Sequence, residues 1–160
     1  ATVEYYGFGR ILNSKLDKKL LQIKLGLSSL NGQLFKYNLT DNPFCPACLE
    51  CLESSHHYFF ECKAFITERV LLENVMSQLV NEFFLCTNLP GRLYDNLCYS
   101  DKLFILLNGL PLMIDLPLYM SLTVRDLVTQ INKRLYDEVI NYMCKTKRFT
   151  LPVYSTSLVA

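Results

Sequence analysis

The stretch FCPACLECLESSHHYFFECKAF, Phe44 to Phe65, holds four of the chain's seven cysteines and both of its histidines. A metal site, a disulfide knot and a chance cluster predict different folds from such a segment. The spacing is Cys45-x2-Cys48, then eight residues to His57, then four to Cys62. Two cysteines separated by two residues can present both sulfurs to one tetrahedral ion across a tight turn, which Pro46 and Ala47 suit. A histidine and a cysteine from the far side of a short loop supply the other half. Thiolate and imidazole in a closed four-coordinate set suit Zn²⁺ and make a structural rather than a catalytic site. His56 gives the alternative spacing of five to Cys62, and both histidines are geometrically allowed, with His57 preferred. Cys51 is a spare thiol that can also replace a ligand.

The rival chemistry is a Cys45–Cys48 redox pair. That motif opens a helix after a strand, and Asn42-Pro43-Phe44 carries no strand signal. The remaining cysteines, Cys86, Cys98 and Cys144, lie in apolar surroundings such as FFLC and NYMC. They read as buried small hydrophobes. An odd cysteine count argues against a secreted disulfide scaffold and for a reducing, intracellular setting.

Hydrophobic residues make up 51% of the 160, enough for a sizeable core. No apolar run reaches the roughly 18 residues that a bilayer requires, so a membrane partner is not expected. The N-terminus shows no secretory signal and no initiator Met, so the chain reads as processed or as a segment of something longer. Residues 1–44 carry six Lys/Arg against three acids, residues 45–100 three against seven, and residues 101–160 seven against five. Nucleic-acid partners usually select a plainly basic surface, so any such contact must use local patches.

Ser14 to about Leu25 predicts an amphipathic helix, with Ser14 as cap and Leu16, Leu20, Ile23 and Leu27 on its apolar face. Its other face carries Lys15, Lys18, Lys19 and Lys24. Thr67 to about Phe84 predicts a second helix with a buried stripe of Val70, Leu71, Val75, Leu79 and Phe83, stopped by Leu89-Pro90-Gly91. KLFILLNGLP (102–111) is apolar but ambiguous between helix and strand. Thr123 to about Arg148 is the clearest helix, capped by Thr123, with Val124, Leu127, Val128, Ile131, Leu135, Val139 and Met143 as its stripe. Lys145, Lys147 and Arg148 gather in its last turn, where cations complement the helix dipole. The fold expected is mainly α: a helical domain built around a small CCHC zinc knuckle. Its parts are an N-terminal helical segment (1–40), the knuckle (41–66), a C-terminal helical region (67–150) and a tail (151–160).

Lys24-Leu25-Gly26, Leu30-Asn31, Leu39-Thr40-Asp41-Asn42-Pro43, Cys45 through Cys62, LLNGLP (106–111) and YMCKTKRF (142–149) together resemble the C-terminal zinc-binding segment of reverse transcriptases from non-LTR, LINE-type retrotransposons. The likeness covers roughly residues 22–149. It departs at His56, where that family commonly has Glu before the ligand histidine, and this favours His57 as the ligand. The resemblance implies a non-catalytic piece of a polyprotein, helping to position RNA or target DNA near other domains of the same polyprotein. The polymerase's YxDD is absent from this chain, as is the spaced acidic set of an RNase H or endonuclease. Candidate nucleic-acid contacts are Lys18, Lys19, Lys24 and Lys36, with Tyr58 as a ring on which a base can stack. Packing under the knuckle is the other reading of Tyr58, Phe59 and Phe60. Glu50, Glu53 and Glu61 read as solubilising charges around it. A protein-docking scaffold is the alternative function.

Overall fold

The computed structural model describes residues 14–87, 93–110 and 118–149. The chain is mainly helical, and among the described residues the only extended pairing is an antiparallel bridge between Phe44 and Leu52. The helices are α1 (Ser14–Lys24), α2 (Asn31–Lys36), α3 (Ile66–Cys86), α4 (Tyr99–Asn108) and α5 (Leu118–Thr146). A π-helical turn (His57–Glu61) and a 3₁₀ turn (Lys63–Phe65) lead into α3, and a second 3₁₀ turn (Tyr94–Asn96) precedes α4. The expected helix stop at Leu89-Pro90-Gly91, Pro111 and the 151–160 tail lie outside the described residues.

The packing of α3 on α5 is the most extensive contact between elements, and α1 rests on α5 and α4. On α3 the buried stripe is Leu72, Val75, Met76, Leu79, Val80 and Phe83, all within 7% exposure. Spacings of three and four along a helix keep these six on one side. Val70 and Leu71, expected inside, are instead 53% and 45% exposed, because that register turns them outward. On α5, Val124, Val128, Ile131, Leu135, Val139 and Met143 are buried as expected, with Leu127 packed at the edge. The helix begins at Leu118, so Thr123 lies within it rather than capping it.

Residues 102–108 of the ambiguous segment are helical, as part of α4, which ends at Asn108, where Gly109 at φ +77° breaks it. Asn132 of α5 then receives the Leu110 N–H (2.7 Å) and donates to the Leu110 carbonyl (3.1 Å). A buried backbone segment is thereby satisfied by one amide side chain. Helix α1 closes in a Schellman motif, with Gly26 N–H to Ile23 O (3.1 Å), Leu27 N–H to Gln22 O (2.9 Å) and Gly26 at φ +70°. That turn swings Leu27 out to 59% exposure, so Leu27 leaves the stripe that Leu16, Leu20 and Ile23 keep.

The three outlying cysteines are all exposed, not buried. Cys86 ends α3, Cys98 precedes α4, and Cys144 follows the buried pair Tyr142 and Met143 onto the outer face of α5. Apolar neighbours in sequence do not bury a residue when the helix register points it outward.

Candidate metal centre

Residues 44–52 form a tight hairpin. Its ends meet at the Phe44–Leu52 bridge, Cys45 N–H donates to Cys51 O (2.7 Å), and Leu49 N–H donates to Cys45 O (2.9 Å). Leu49 takes the left-handed conformation (φ 63°), which closes the turn and leaves its side chain 74% exposed. Asn42 supports the entry with its side-chain oxygen, which accepts from Phe44 N–H at 3.0 Å.

The second pair of candidate ligands lies on the π-helical turn. Cys62 N–H donates to His57 O (2.8 Å), a five-residue step. In a regular α-helix, residues five apart point about 140° away from one another. The wider turn swings His57 and Cys62 toward a common side.

Cys45, Cys48, His57 and Cys62 meet as one group that could hold a metal ion, with one donor atom each and all four within 4.8 Å of one another. The Cys45 and Cys62 sulfurs are 3.8 Å apart, and the Cys48 sulfur is 3.5 Å from His57 Nε2. Around a tetrahedral ion at ordinary Zn–S and Zn–N lengths, the edges come to about 3.8 Å for S···S and about 3.5 Å for S···N. Those two edges match such an ion, and all four donor atoms lie close enough to share one.

The surroundings act differently on the three thiols. Burial pushes the Cys45 thiol up to about 12, against the N–H groups of Cys48 and Ala47 that point at its sulfur. Burial also raises Cys62, opposed by the Ala64 N–H. At Cys48 burial acts upward, but the N–H groups of Glu50 and Cys51 outweigh it and the thiol lies below its ordinary value. Backbone donors aimed at each sulfur stabilise the anionic form once a cation balances it. Burial lowers His57, which keeps its imidazole neutral and able to ligate. Its Nδ1 is buried without a hydrogen-bond partner, and its backbone N–H is held by Ser54 Oγ at 3.0 Å.

Of the two histidines, His57 joins the cluster. His56 turns away, its Nδ1 2.6 Å from Glu61 and its ring edge-on to Tyr99. Cys51 is exposed and outside the group. Tyr58 is not a surface ring. It is fully buried, with its ring against Phe59, Phe65, Tyr142 and Phe149 and its hydroxyl 2.6 Å from Thr146 Oγ1. It packs under the knuckle, and a base cannot reach it. Lys18 and Lys36 are exposed, while Lys19 and Lys24 are half-buried.

Glu53, expected as a solubilising charge, is fully buried. Its carboxylate receives Arg148 through Nε (2.7 Å) and Nη2 (2.6 Å) and the Asn31 N–H (2.7 Å). Its carbonyl accepts from Gly32 N–H at 2.9 Å, an approach that a Cβ on Gly32 would block at 2.6 Å. Arg148 and Lys147 lie beyond the end of α5 rather than in its last turn, and Lys147 at φ 55° turns the chain back toward the knuckle. Arg69 of α3 donates to Cys62 O at 2.6 Å. Glu53 and Tyr58, both between the second and fourth candidate ligands, thus tie the knuckle to the C-terminal end of α5.

Comparison with protein-family models, with curated proteins and with solved structures finds no match to this chain. Among the described residues, no helix is long and apolar enough to cross a membrane.

Proposed function

We propose that this chain is a non-catalytic accessory domain, folded by a structural zinc ion, that binds nucleic acid. The observation that carries the reading is the set of three thiols and one imidazole whose donor atoms all lie within 4.8 Å of one another. Four protein ligands leave no position for substrate or a reactive water, so the ion holds the fold rather than performing chemistry. Thiolate-rich ligation with one imidazole selects zinc over hard cations such as magnesium and calcium. Nucleic acid as partner is supported by the resemblance to the LINE-type reverse transcriptase segment and by exposed Lys15, Lys18 and Lys36 in the basic stretch of residues 1–44. In that reading the domain holds RNA or target DNA beside catalytic domains of a parent polyprotein.

The test is binding of labelled single-stranded RNA and duplex DNA to the purified chain at about 50 and 200 mM salt, with and without a zinc chelator. Binding that weakens steeply with salt and disappears on chelation supports the reading. If chelation unfolds the knuckle but neither nucleic acid binds at either salt, the zinc role stands and the nucleic-acid role fails. A protein-docking scaffold is the second reading, favoured by exposed Leu25, Leu27, Leu39 and Leu49. Apolar docking is insensitive to salt or strengthened by it.

A further inference from the structure

Arg69, in the first turn of α3, is 6% exposed. A buried guanidinium is costly unless it is paired, and a cation at a helix N-terminus also stands against the helix dipole. Its contacts offset little of this. Nη2 donates to the Cys62 carbonyl at 2.6 Å, Nε comes within 4.0 Å of Glu73, whose side chain is half in solvent, and Nη1 is buried with no hydrogen-bond partner. None of these is a carboxylate at hydrogen-bond distance.

Other charged groups around the ligand cluster have partners of their own. Arg148 is held by buried Glu53 through two hydrogen bonds, Glu61 contacts His56, and Lys63 pairs with Glu50 in solvent. Arg69 instead docks on the residue that supplies the fourth candidate ligand, and its charge reaches the side chains beside it. Burial lowers His57, and Arg69 adds to that against Glu61 and Glu53; burial raises Tyr142, and Arg69 opposes it. Three thiolates around a divalent ion leave one net negative charge. Inside a protein such a charge is costly without an opposite one close by.

We propose that Arg69 is the counter-charge of the loaded centre, its buried guanidinium balancing the negative charge that three thiolates and a divalent ion leave beside Cys62. This deepens the zinc part of the proposed function and rests on it. Arg69 makes no bond to the ion. It acts through charge, and the Cys62 carbonyl fixes where that charge sits. Before loading, the guanidinium is a buried cation short of its partner, so zinc binding and the docking of α3 on the knuckle reinforce each other.

The experiment is the zinc affinity of the full chain, read by competition with a chromophoric chelator at one pH with the thiols kept reduced. Arg69→Gln removes the charge but keeps an N–H donor for the Cys62 carbonyl, and Arg69→Lys keeps the charge. Each is also made in a Cys48→His background, where two thiolates and two imidazoles leave the loaded centre neutral. Absorption of the cobalt-loaded forms confirms tetrahedral ligation, and helical circular dichroism confirms that the helices are folded. Arg69→Gln should lower zinc affinity roughly 10–100-fold in the parent and far less beside Cys48→His, while Arg69→Lys keeps most of the parent's affinity. An equal loss in both backgrounds, or no loss in the parent, overturns the proposal, and so does an Arg69→Gln chain that folds in neither. Should Cys48→His bind no zinc, the two Arg69 variants decide in the parent, and equal losses in both overturn it. A parent that binds no zinc overturns the metal reading itself, and the counter-charge falls with it.

Discussion

The hairpin and π-turn between Cys45 and Cys62 and the α3–α5 pair are held by different forces. In the helix pair, rows of Leu, Val, Ile and Met bury one another, and the stabilisation grows with apolar area removed from water. The hairpin buries little of that kind, and the apolar burial of the π-turn, Tyr58 and Phe59, faces the helices rather than the ligands' side of the knuckle. Leu49, Leu52 and Phe44 face outward, and between the hairpin and the π-turn lie three sulfurs, an imidazole and the backbone N–H groups aimed at the sulfurs. Without a cation those groups are an expensive set to bury. With one, they become the strongest link in that half of the domain. Tyr58 and Glu53 join the two regimes, since both belong to the knuckle by sequence and to the end of α5 by contact.

Removing the ion tests this division most severely. Zinc sites of this class contribute on the order of 10 kcal/mol at neutral pH. Chelation should therefore abolish amide-exchange protection from Cys45 to Cys62, while protection persists in part along α3 and α5. If the two regions lose protection in one cooperative step, they are not separable and the contrast drawn above is wrong.

Next in size is the junction. Glu53→Gln leaves Arg148 buried opposite a neutral partner, and breaking a buried ion pair in this way costs roughly 3–5 kcal/mol. The double change Glu53→Gln/Arg148→Met should recover part of that loss, because no charge is then stranded. Denaturant midpoints measure both, and a Glu53→Gln midpoint equal to the parent's would mean the pair holds nothing together.

The pH dependence of ion binding sharpens the contrast from the knuckle's side. Burial raises Cys45, to about 12, and Cys62, so without the ion both carry protons at neutral pH, which binding must displace. Affinity accordingly falls as pH falls, by roughly a hundredfold per pH unit for two displaced protons. Lowered His57 is already neutral near pH 7 and adds no further proton there. A competition titration with a chromophoric chelator between pH 6.5 and 8 reads the slope, and a pH-independent affinity would exclude buried thiols as ligands.

The smallest effect is expected at the knuckle's surface. Glu50 and Lys63 pair at 2.8 Å, and the pairing lowers the carboxyl and raises the ammonium, but both side chains are largely in solvent. Glu50→Gln should leave the melting temperature within error of the parent, since exposed pairs contribute little. A clear loss would show that acids of the knuckle act alike, and the difference between Glu50 and buried Glu53 would lose its meaning.

The helices with strong periodicity were legible because their pattern repeats: Val124 through Met143 names the buried face of α5 without any coordinates. The four-residue donor set was legible for a related reason, since ligand spacing in a short loop is a local constraint. The helix register on α3 was harder, because an apolar-rich segment offers two overlapping stripes, and only the neighbour α5 selects the one beginning at Leu72. The outward turn of Cys86, Cys98 and Cys144 was invisible for the same reason.

Sequence by itself determined the residue chemistry available and the elements with one dominant period: a mainly helical chain and a Cys₃His cluster. Tertiary structure decided how the cluster connects to everything else. It turned His57 inward and His56 toward Glu61, sank Tyr58 beneath the knuckle, and matched Glu53 with Arg148, ninety-five residues away. Such pairings depend on distances closed only when the chain has folded. No local pattern can encode them, because an exposed glutamate and a buried, paired one read identically in sequence.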